Sequence, residues 1–177
     1  MNIYYTGKGD KGKSFVCHQT MAKTSAGMEA MGELDELNSL IGLIRSQKAP
    51  ADIKNILKAI QENLFLIQAN VARMVFKEKF AVPVLNKDIV KKMEKVIDLY
   101  AGKLGTQKGF IVSGENELSA WLDYARAVAR RTERSILGLK KADAVILAYL
   151  NRLSSLLFVL ARAVSKRYNK KEANPSY

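Results

Sequence analysis

The feature that most constrains the fold is a run of apolar residues spaced alternately four and three positions apart. Residues three or four positions apart lie on one face of an α-helix, so such a run forms a continuous apolar stripe. The stripe suits a long helix packed nearly antiparallel against its neighbours. Its members are Ile53, Leu57, Ile60, Leu64, Ile67, Val71 and Met74.

Four further segments carry apolar residues at helical spacing: 34–44, 89–100, 118–132 and 146–164. Glycines are expected to end the third helix, at Gly102 and Gly105, and the fourth, at Gly138. The last helix is expected to run from about Asp143 to Tyr168. Short connections keep sequential helices adjacent, so the sequence predicts an all-α fold, a five-helix and mainly up-and-down bundle.

The chain is organised around this bundle. With 177 residues it is long enough for one buried core, and we expect a single domain over residues 1–177. Residues 1–23 lack helical periodicity and are predicted to form an extended segment with a tight loop. Residues 24–168 form the predicted bundle, and residues 169–177 are expected to be a frayed tail.

Composition limits the possible partners and the compartment. The formal net charge of +12 predicts affinity for anions, whether a nucleotide, a nucleic acid or an acidic membrane surface. One cysteine, Cys17, and one histidine, His18, exclude an internal disulfide and leave too few ligands for a structural zinc site. The N-terminus lacks the apolar stretch of a signal peptide, and Asn151, Arg152 and Arg162 interrupt the most apolar segment. We therefore expect a cytoplasmic protein without membrane contact.

The segment Gly7–Ser14, GKGDKGKS, matches the phosphate-loop pattern GxxxxGK(S/T). A P-loop lies between a buried parallel strand and a helix, yet only IYYT precedes this segment and no parallel sheet is predicted. We therefore favour a phosphate-binding loop of another kind. The alternative is a solvated basic turn carrying Lys8, Lys11 and Lys13.

Two predicted helices carry polar edges. Arg126, Arg130 and Glu133 fall at positions i, i+4 and i+7 of the fourth helix and share one face. That face suits a polyphosphate, although a solvated charged face is the commoner explanation of such spacing. The last helix has a second polar edge, formed by Asn151, Ser155, Phe158 and Arg162.

Asp35 lies in a mostly apolar neighbourhood, MGELDELNSLIG. If its carboxylate points inward it requires a buried partner such as an arginine; otherwise it is exposed. His18 has neither a convincing nucleophile nor an orienting carboxylate beside it, so a solvated loop histidine is expected.

Four blocks of sequence carry a resemblance to a known family: YTGKGDKG, MGELDELNSLIG, FIVSGENELSAWLDYARAVARRTER and YLNRLSSLLFVLAR. In order and spacing, from about Tyr5 to Arg162, they resemble the signature blocks of the PduO-type ATP:cob(I)alamin adenosyltransferases. The resemblance implies a ferritin-like bundle that assembles as a homotrimer, with ATP and Mg²⁺ between subunits and cobalamin beside them. It implies transfer of the 5′-deoxyadenosyl group of ATP to Co(I), with triphosphate leaving and no protein nucleophile.

The resemblance also assigns residues to the nucleotide. The glycine loop and Lys23 would contact the triphosphate, Arg130 would oppose phosphate charge, and Glu133 and Asn151 would order the nucleotide. The loop residues that match the family are Thr6, Gly9, Asp10, Lys11 and Gly12.

On the corrinoid side, the resemblance implies a salt bridge between Asp35 and Arg126. Phe110 matches the phenylalanine that displaces the lower axial ligand of cobalamin and favours four-coordinate Co(II). Its alternative role is a core anchor for the loop.

The chain departs from the family pattern at several positions. GKGD replaces RTGD, FIVSGE replaces FILPGG, Ser155 replaces an aspartate and Gly27 replaces an arginine. One competing interpretation is therefore a paralogue that binds ATP or cobalamin without efficient turnover. Another is a basic helical bundle that binds nucleic acid, which lacks any recognisable reading motif and is not expected.

Overall fold

In a computed structural model, residues 4–5, 7–77, 81–105, 109–140 and 142–177 are described. A short β-hairpin precedes five helices. The strands are β1 (Lys13–Val16) and β2 (Gln19–Ala22). The helices are α1 (Ala26–Ser46), α2 (Ala51–Phe76), α3 (Asp88–Leu104), α4 (Glu117–Leu137) and α5 (Ala144–Arg167).

The helices pack as one bundle, which confirms the predicted fold class. α1 lies against α2 and α4, while α5 lies against α4 and α3. The apolar stripe of α2 is buried from Ile53 to Val71, and the stripes of α1, α4 and α5 meet it in one core. Tyr149 and Leu153 of α5 are fully buried at its centre. Burial of these stripes supplies the main driving force for the bundle.

Local signals explain where several helices begin and end. The side chain of Asn116 accepts a hydrogen bond from the Ser119 backbone N–H, which caps α4. Asp143 caps α5 in the same way. α3 continues through Gly102 and ends at Leu104, where Gly105 adopts a positive φ of 78°. Gly102 therefore does not stop the helix, whereas Gly105 does.

The N-terminal segment contains an antiparallel hairpin. β1 pairs with β2 in the register Lys13↔Ala22 to Val16↔Gln19. Cys17 and His18 form the two-residue turn, with φ angles of 48° and 57° that match the twist of a tight hairpin. Ser14 thus lies in a strand rather than at the start of a helix. The P-loop fold is excluded for this segment because the required strand–loop–helix order is absent from it.

The expectation of a frayed tail was wrong. Residues 169–177 have no regular structure, but the backbone N–H of Val112 donates to the carbonyl of Ala173 at 2.9 Å. Glu172 also forms an ion pair with Arg162, at 2.5 Å between Oε1 and Nε. The polar composition of NKKEANPSY is typical of a free end, yet a buried arginine supplies a partner for its carboxylate.

α5 is the one helix among the described residues that is long and apolar enough to cross a membrane by length and composition. However, 56% of its most apolar window is buried within the bundle. That burial is the pattern of a core helix.

Candidate functional site

The polar edges of α4 and α5 meet. Asn151 Nδ2 donates a hydrogen bond to Glu133 Oε1 at 2.9 Å. Asn151 Oδ1 accepts in turn from Arg152 Nη1 at 2.7 Å, and Arg152 Nε donates to Glu94 of α3 at 2.9 Å. The pairing orients the amide of Asn151 and leaves the second oxygen of Glu133 available to a ligand.

An open cavity of about 250 Å³ lies beside this edge. Arg126 and Arg130 of α4 form one wall, and Ser155 and Phe158 of α5 form another. Arg130 is exposed, so its guanidinium can reach an anion without breaking a contact. Ser155, which stands where the family pattern has an aspartate, lines the cavity and leaves it more positively charged.

The neighbouring arginine Arg131 belongs to a different surface. It forms ion pairs with Glu36 and, at 3.8 Å, with Glu33, both on α1. Burial raises the pKa of Glu33, and Arg131 offsets only part of that effect. Arg131 therefore joins α1 to α4, which separates it from the Arg126–Arg130 face.

The glycine loop and Lys23 are brought together. The backbone N–H of Lys23 donates to the carbonyl of Gly12 at 2.9 Å. A Cβ added to Gly9 would lie 3.1 Å from Lys23 Nζ, so the ammonium sits directly over the loop. Gly12 has a positive φ of 73°, a conformation that L side chains rarely adopt. The arrangement combines backbone N–H groups with a cation, as an anion site requires.

The hairpin places this loop at one end of the bundle. Gln19 of β2 donates from its side chain to the carbonyl of Phe76, the last residue of α2. Met21 and Gly27 share a small cavity with Leu139, which follows α4. The loop is therefore near the end where α2 and α4 finish. Asp10 and Lys11 are exposed on it, whereas Thr6 lies outside the described residues.

Asp35 and Arg126 are not paired within the chain. Asp35 is exposed on α1, which settles the question of its orientation. Arg126 is paired with Asp123, one turn earlier in α4, at 3.6 Å between Nε and Oδ1. The salt bridge that the resemblance implies is therefore absent within one copy of the chain, where Arg126 pairs with Asp123 instead.

Sequence reasoning did not find Asp123 and misplaced Arg162. Asp123 and Arg162 are 5% and 4% exposed, and Arg162 Nη2 lies 2.5 Å from Asp123 Oδ2. Arg162 was expected on the second polar edge of the last helix, but it is buried between α4 and the tail. The available signal was a charge at a position on the apolar face of each helix, since such residues are buried only when paired.

Phe110 is 80% exposed, in the loop between α3 and α4. It therefore does not anchor the loop in the core, and that alternative was wrong.

Cys17 and His18 contribute the backbone of the hairpin turn. Within the described part of the chain, no group of His, Cys, Asp and Glu residues could hold a metal ion on its own.

Comparison with known proteins identifies the family. The sequence profile of the family described as "Cobalamin adenosyltransferase" matches residues 4–164. The corrinoid adenosyltransferase of Bacillus subtilis is 34% identical over 170 residues, which span 92% of this chain and 86% of that protein. The corrinoid adenosyltransferase PduO of Salmonella typhimurium is 33% identical over 93% of this chain, but the match spans only 54% of that longer protein.

Solved structures agree with the sequence relatives. A variant of the PduO-type ATP:corrinoid adenosyltransferase from Lactobacillus reuteri, complexed with cobalamin and ATP, superimposes with a TM-score of 0.91. It is 28% identical, and the match covers 98% of this chain and 99% of that one. A further variant of that enzyme, complexed with ATP, gives a TM-score of 0.86 at 27% identity, over 97% and 99% of the two chains. The resemblance seen in the four sequence blocks is thereby confirmed, and the chain belongs to the cobalamin adenosyltransferase family.

Proposed function

We propose that the protein transfers the 5′-deoxyadenosyl group of ATP to cob(I)alamin, giving adenosylcobalamin and triphosphate. The observation that carries this proposal is the joined polar edge of Glu133 and Asn151 beside the Arg126–Arg130 cavity. The named activity of the relatives and the cobalamin and ATP present in the similar structure support the same reaction.

The reaction requires little from the protein beyond binding and charge stabilisation. The Co(I) lone pair attacks C5′ of ATP, the C5′–O bond breaks, and triphosphate leaves with the bonding electrons. Cobalt is thereby oxidised to Co(III). The protein must align the two substrates and stabilise negative charge on the leaving group. No protein nucleophile is needed.

Lys23 and the glycine loop are proposed to bind the triphosphate, with Arg130 opposing the same charge. The position of the Lys23 ammonium over Gly9 supports this role, because both can face one anion. Glu133 and Asn151 are proposed to hold the nucleoside part through their free hydrogen-bonding atoms. Mg²⁺ would be held mainly by the phosphate oxygens of ATP, since Mg²⁺ is usually bound by phosphates and few carboxylates. Bound Mg²⁺ would further neutralise the triphosphate.

We propose that the active form is a cytoplasmic homotrimer with ATP at the subunit interface. In this arrangement the glycine loop of one copy and Arg130 of another would bind the same triphosphate. Asp35 is exposed and the side chain of Arg126 is 35% exposed, so their salt bridge would form between copies. Exposed apolar side chains, including Leu43 and Phe65, support such an interface. Light scattering should give three times the chain mass of 19.7 kDa.

The deciding experiment is an anaerobic assay with chemically reduced cobalamin, ATP and Mg²⁺. Loss of the Co(I) spectrum together with chromatographic appearance of adenosylcobalamin is the expected result. Arg130→Ala should slow turnover and raise the ATP requirement while the helical circular dichroism is unchanged. Tight ATP binding without product would instead identify a non-catalytic paralogue and refute the proposal.

A further inference from the structure

A buried arginine holds the C-terminal tail against the bundle. Arg162 is 4% exposed and lies between two carboxylates. Asp123 of α4 is 2.5 Å from its Nη2, and Glu172 of the tail is 2.5 Å from its Nε. A guanidinium buried this deeply must be paired, and removing a partner leaves an uncompensated charge. Glu172 therefore fastens the tail to the core.

The fastened tail contacts the segment that carries Phe110, residues 109–116, hereafter the Phe110 segment. The carbonyl of Ala173, next to Glu172, accepts from the Val112 N–H at 2.9 Å. A Cβ added to Gly109 would lie 2.8 Å from Asn174 Nδ2, so the tail also lies against the start of the segment. The tail thus meets the backbone on both sides of Phe110.

Phe110 itself receives little support from the core. Its side chain is 80% exposed, so core packing does not determine the direction of the ring. Among the described residues, tail contacts at Gly109 and Val112 flank Phe110 on both sides and constrain its backbone. Both contacts are made by the tail, which the Glu172–Arg162 ion pair holds against the bundle.

The anchor is also connected to the cavity. Asp123 contacts Arg162 and, at 3.6 Å, Arg126 on the cavity wall. The side chains therefore form a network in the order Arg126, Asp123, Arg162 and Glu172, in which arginines and carboxylates alternate. Their formal charges sum to zero. This network joins α4, α5 and the tail through side chains that lie mostly out of solvent.

We propose that Glu172 is a positioning residue, which holds the Phe110 ring in place for the corrinoid by anchoring the tail on Arg162. This inference rests on the proposed function, because it assigns Phe110 to the corrinoid. A purely structural ion pair would lower stability and change nothing else. A positioning role changes the Phe110 segment and the corrinoid, while Lys23 and Arg130, which lie outside the network, still bind ATP.

The first test uses the full chain without ligands and compares Glu172→Gln with Lys171→Gln. The control variant changes an exposed neighbour in the same tail and leaves the Arg162 ion pair in place. Hydrogen exchange of the Val112 amide should be at least about tenfold faster in Glu172→Gln, because local opening exposes a tail-dependent hydrogen bond. It should be unchanged in Lys171→Gln. Equal exchange in the two variants would overturn the proposal.

The second test uses cob(II)alamin with ATP bound to the same variants. Electron paramagnetic resonance should show less four-coordinate Co(II) in Glu172→Gln, with a lower kcat and an unchanged KM for ATP. Glu172→Asp, which keeps the charge on a shorter side chain, should restore part of the signal. A loss of stability without any change in the cobalt spectrum would refute positioning. Inactivity of the unmodified protein would instead refute the proposed function, while the exchange experiment would still report on the anchor.

Discussion

Asn151 of α5 and Glu133 of α4 are joined by a 2.9 Å hydrogen bond, which makes one surface out of two helix edges. Replacing the amide by a carboxylate would place two negative charges against each other in the proposed nucleotide site. Asn151→Asp should therefore raise the KM for ATP by about tenfold, while circular dichroism shows an intact bundle. Steady-state kinetics measures the effect. The same change at Asn55, exposed on α2, is the matched control, and equal KM values in the two variants would remove Asn151 from the site.

Lys23 should contribute charge to triphosphate binding, because its ammonium lies over Gly9. Lys23→Ala is expected to weaken ATP binding by about tenfold at low salt, and by less as salt screens the interaction. Calorimetry at two salt concentrations measures both effects. Lys91→Ala removes an exposed lysine from α3 and should leave the affinity unchanged. An unchanged affinity for ATP in Lys23→Ala would instead support the alternative interpretation of the glycine loop, a solvated basic turn that does not bind phosphate.

The helices were predictable because their signal is local. The four-and-three spacing of α2 and the capping residue Asp143 are read within a few positions of the chain. The Asp123–Arg162 pair joins residues 39 positions apart, so its partners are known only once α4 and α5 pack together. Glu172 was unpredictable for the same reason. Its polar neighbours in the sequence indicate a free C-terminal end, and its partner Arg162 is identified only once the chain has folded.

Phe110 should matter to the corrinoid and not to stability. Because the side chain is 80% exposed, Phe110→Ala should change the free energy of unfolding by less than about 0.5 kcal/mol. It should reduce four-coordinate Co(II) in the complex with ATP. Urea unfolding and electron paramagnetic resonance on the same preparation separate the two effects. A large loss of stability would show that Phe110 packs against the protein.

Asp52 ties the start of α2 to the ends of α3 and α5. Its carboxylate accepts from Tyr100 at 2.9 Å and from Arg167 at 2.8 Å. Burial acts to raise the pKa of Asp52, but these hydrogen bonds outweigh it and lower the pKa. Burial, together with the hydrogen bond to Asp52, raises the pKa of Tyr100 to about 12.

A carboxyl group whose pKa is lower in the folded state than in the unfolded state stabilises the fold at pH values above its unfolded-state pKa, which is about 3.9 for an aspartate. This stabilisation is lost as the pH falls through the folded-state pKa. Asp52→Asn should therefore cost up to about 1 kcal/mol above about pH 5, since the group is half exposed, and progressively less as the pH falls below about 4. Urea unfolding across this range measures it. Asp98→Asn, an exposed change on α3, is the control, and a cost of Asp52→Asn that stays constant with pH would contradict the assignment.

Gly27 stands where the family pattern has an arginine, and in this chain the position is packed against Val75 of α2. A Cβ added to Gly27 would lie 2.5 Å from Val75 Cγ1, so no side chain fits without a shift of Val75. Gly27→Ala should destabilise the protein by about 1–3 kcal/mol, as overpacked core positions do. Gly32→Ala, on the same helix with no atom within 4 Å of the added Cβ, should be neutral or stabilising.

The clash with Val75 can be isolated by a double-mutant cycle. In a Val75→Ala background the Cγ atoms that meet the new Cβ are absent, so Gly27→Ala should cost less than it does in the unmodified protein. Urea unfolding of the four proteins gives the coupling energy. Equal costs in both backgrounds would place the strain elsewhere. A positive coupling would show that Val75 is what restricts position 27 to glycine, so that a longer side chain there, including an arginine, is disfavoured in this chain.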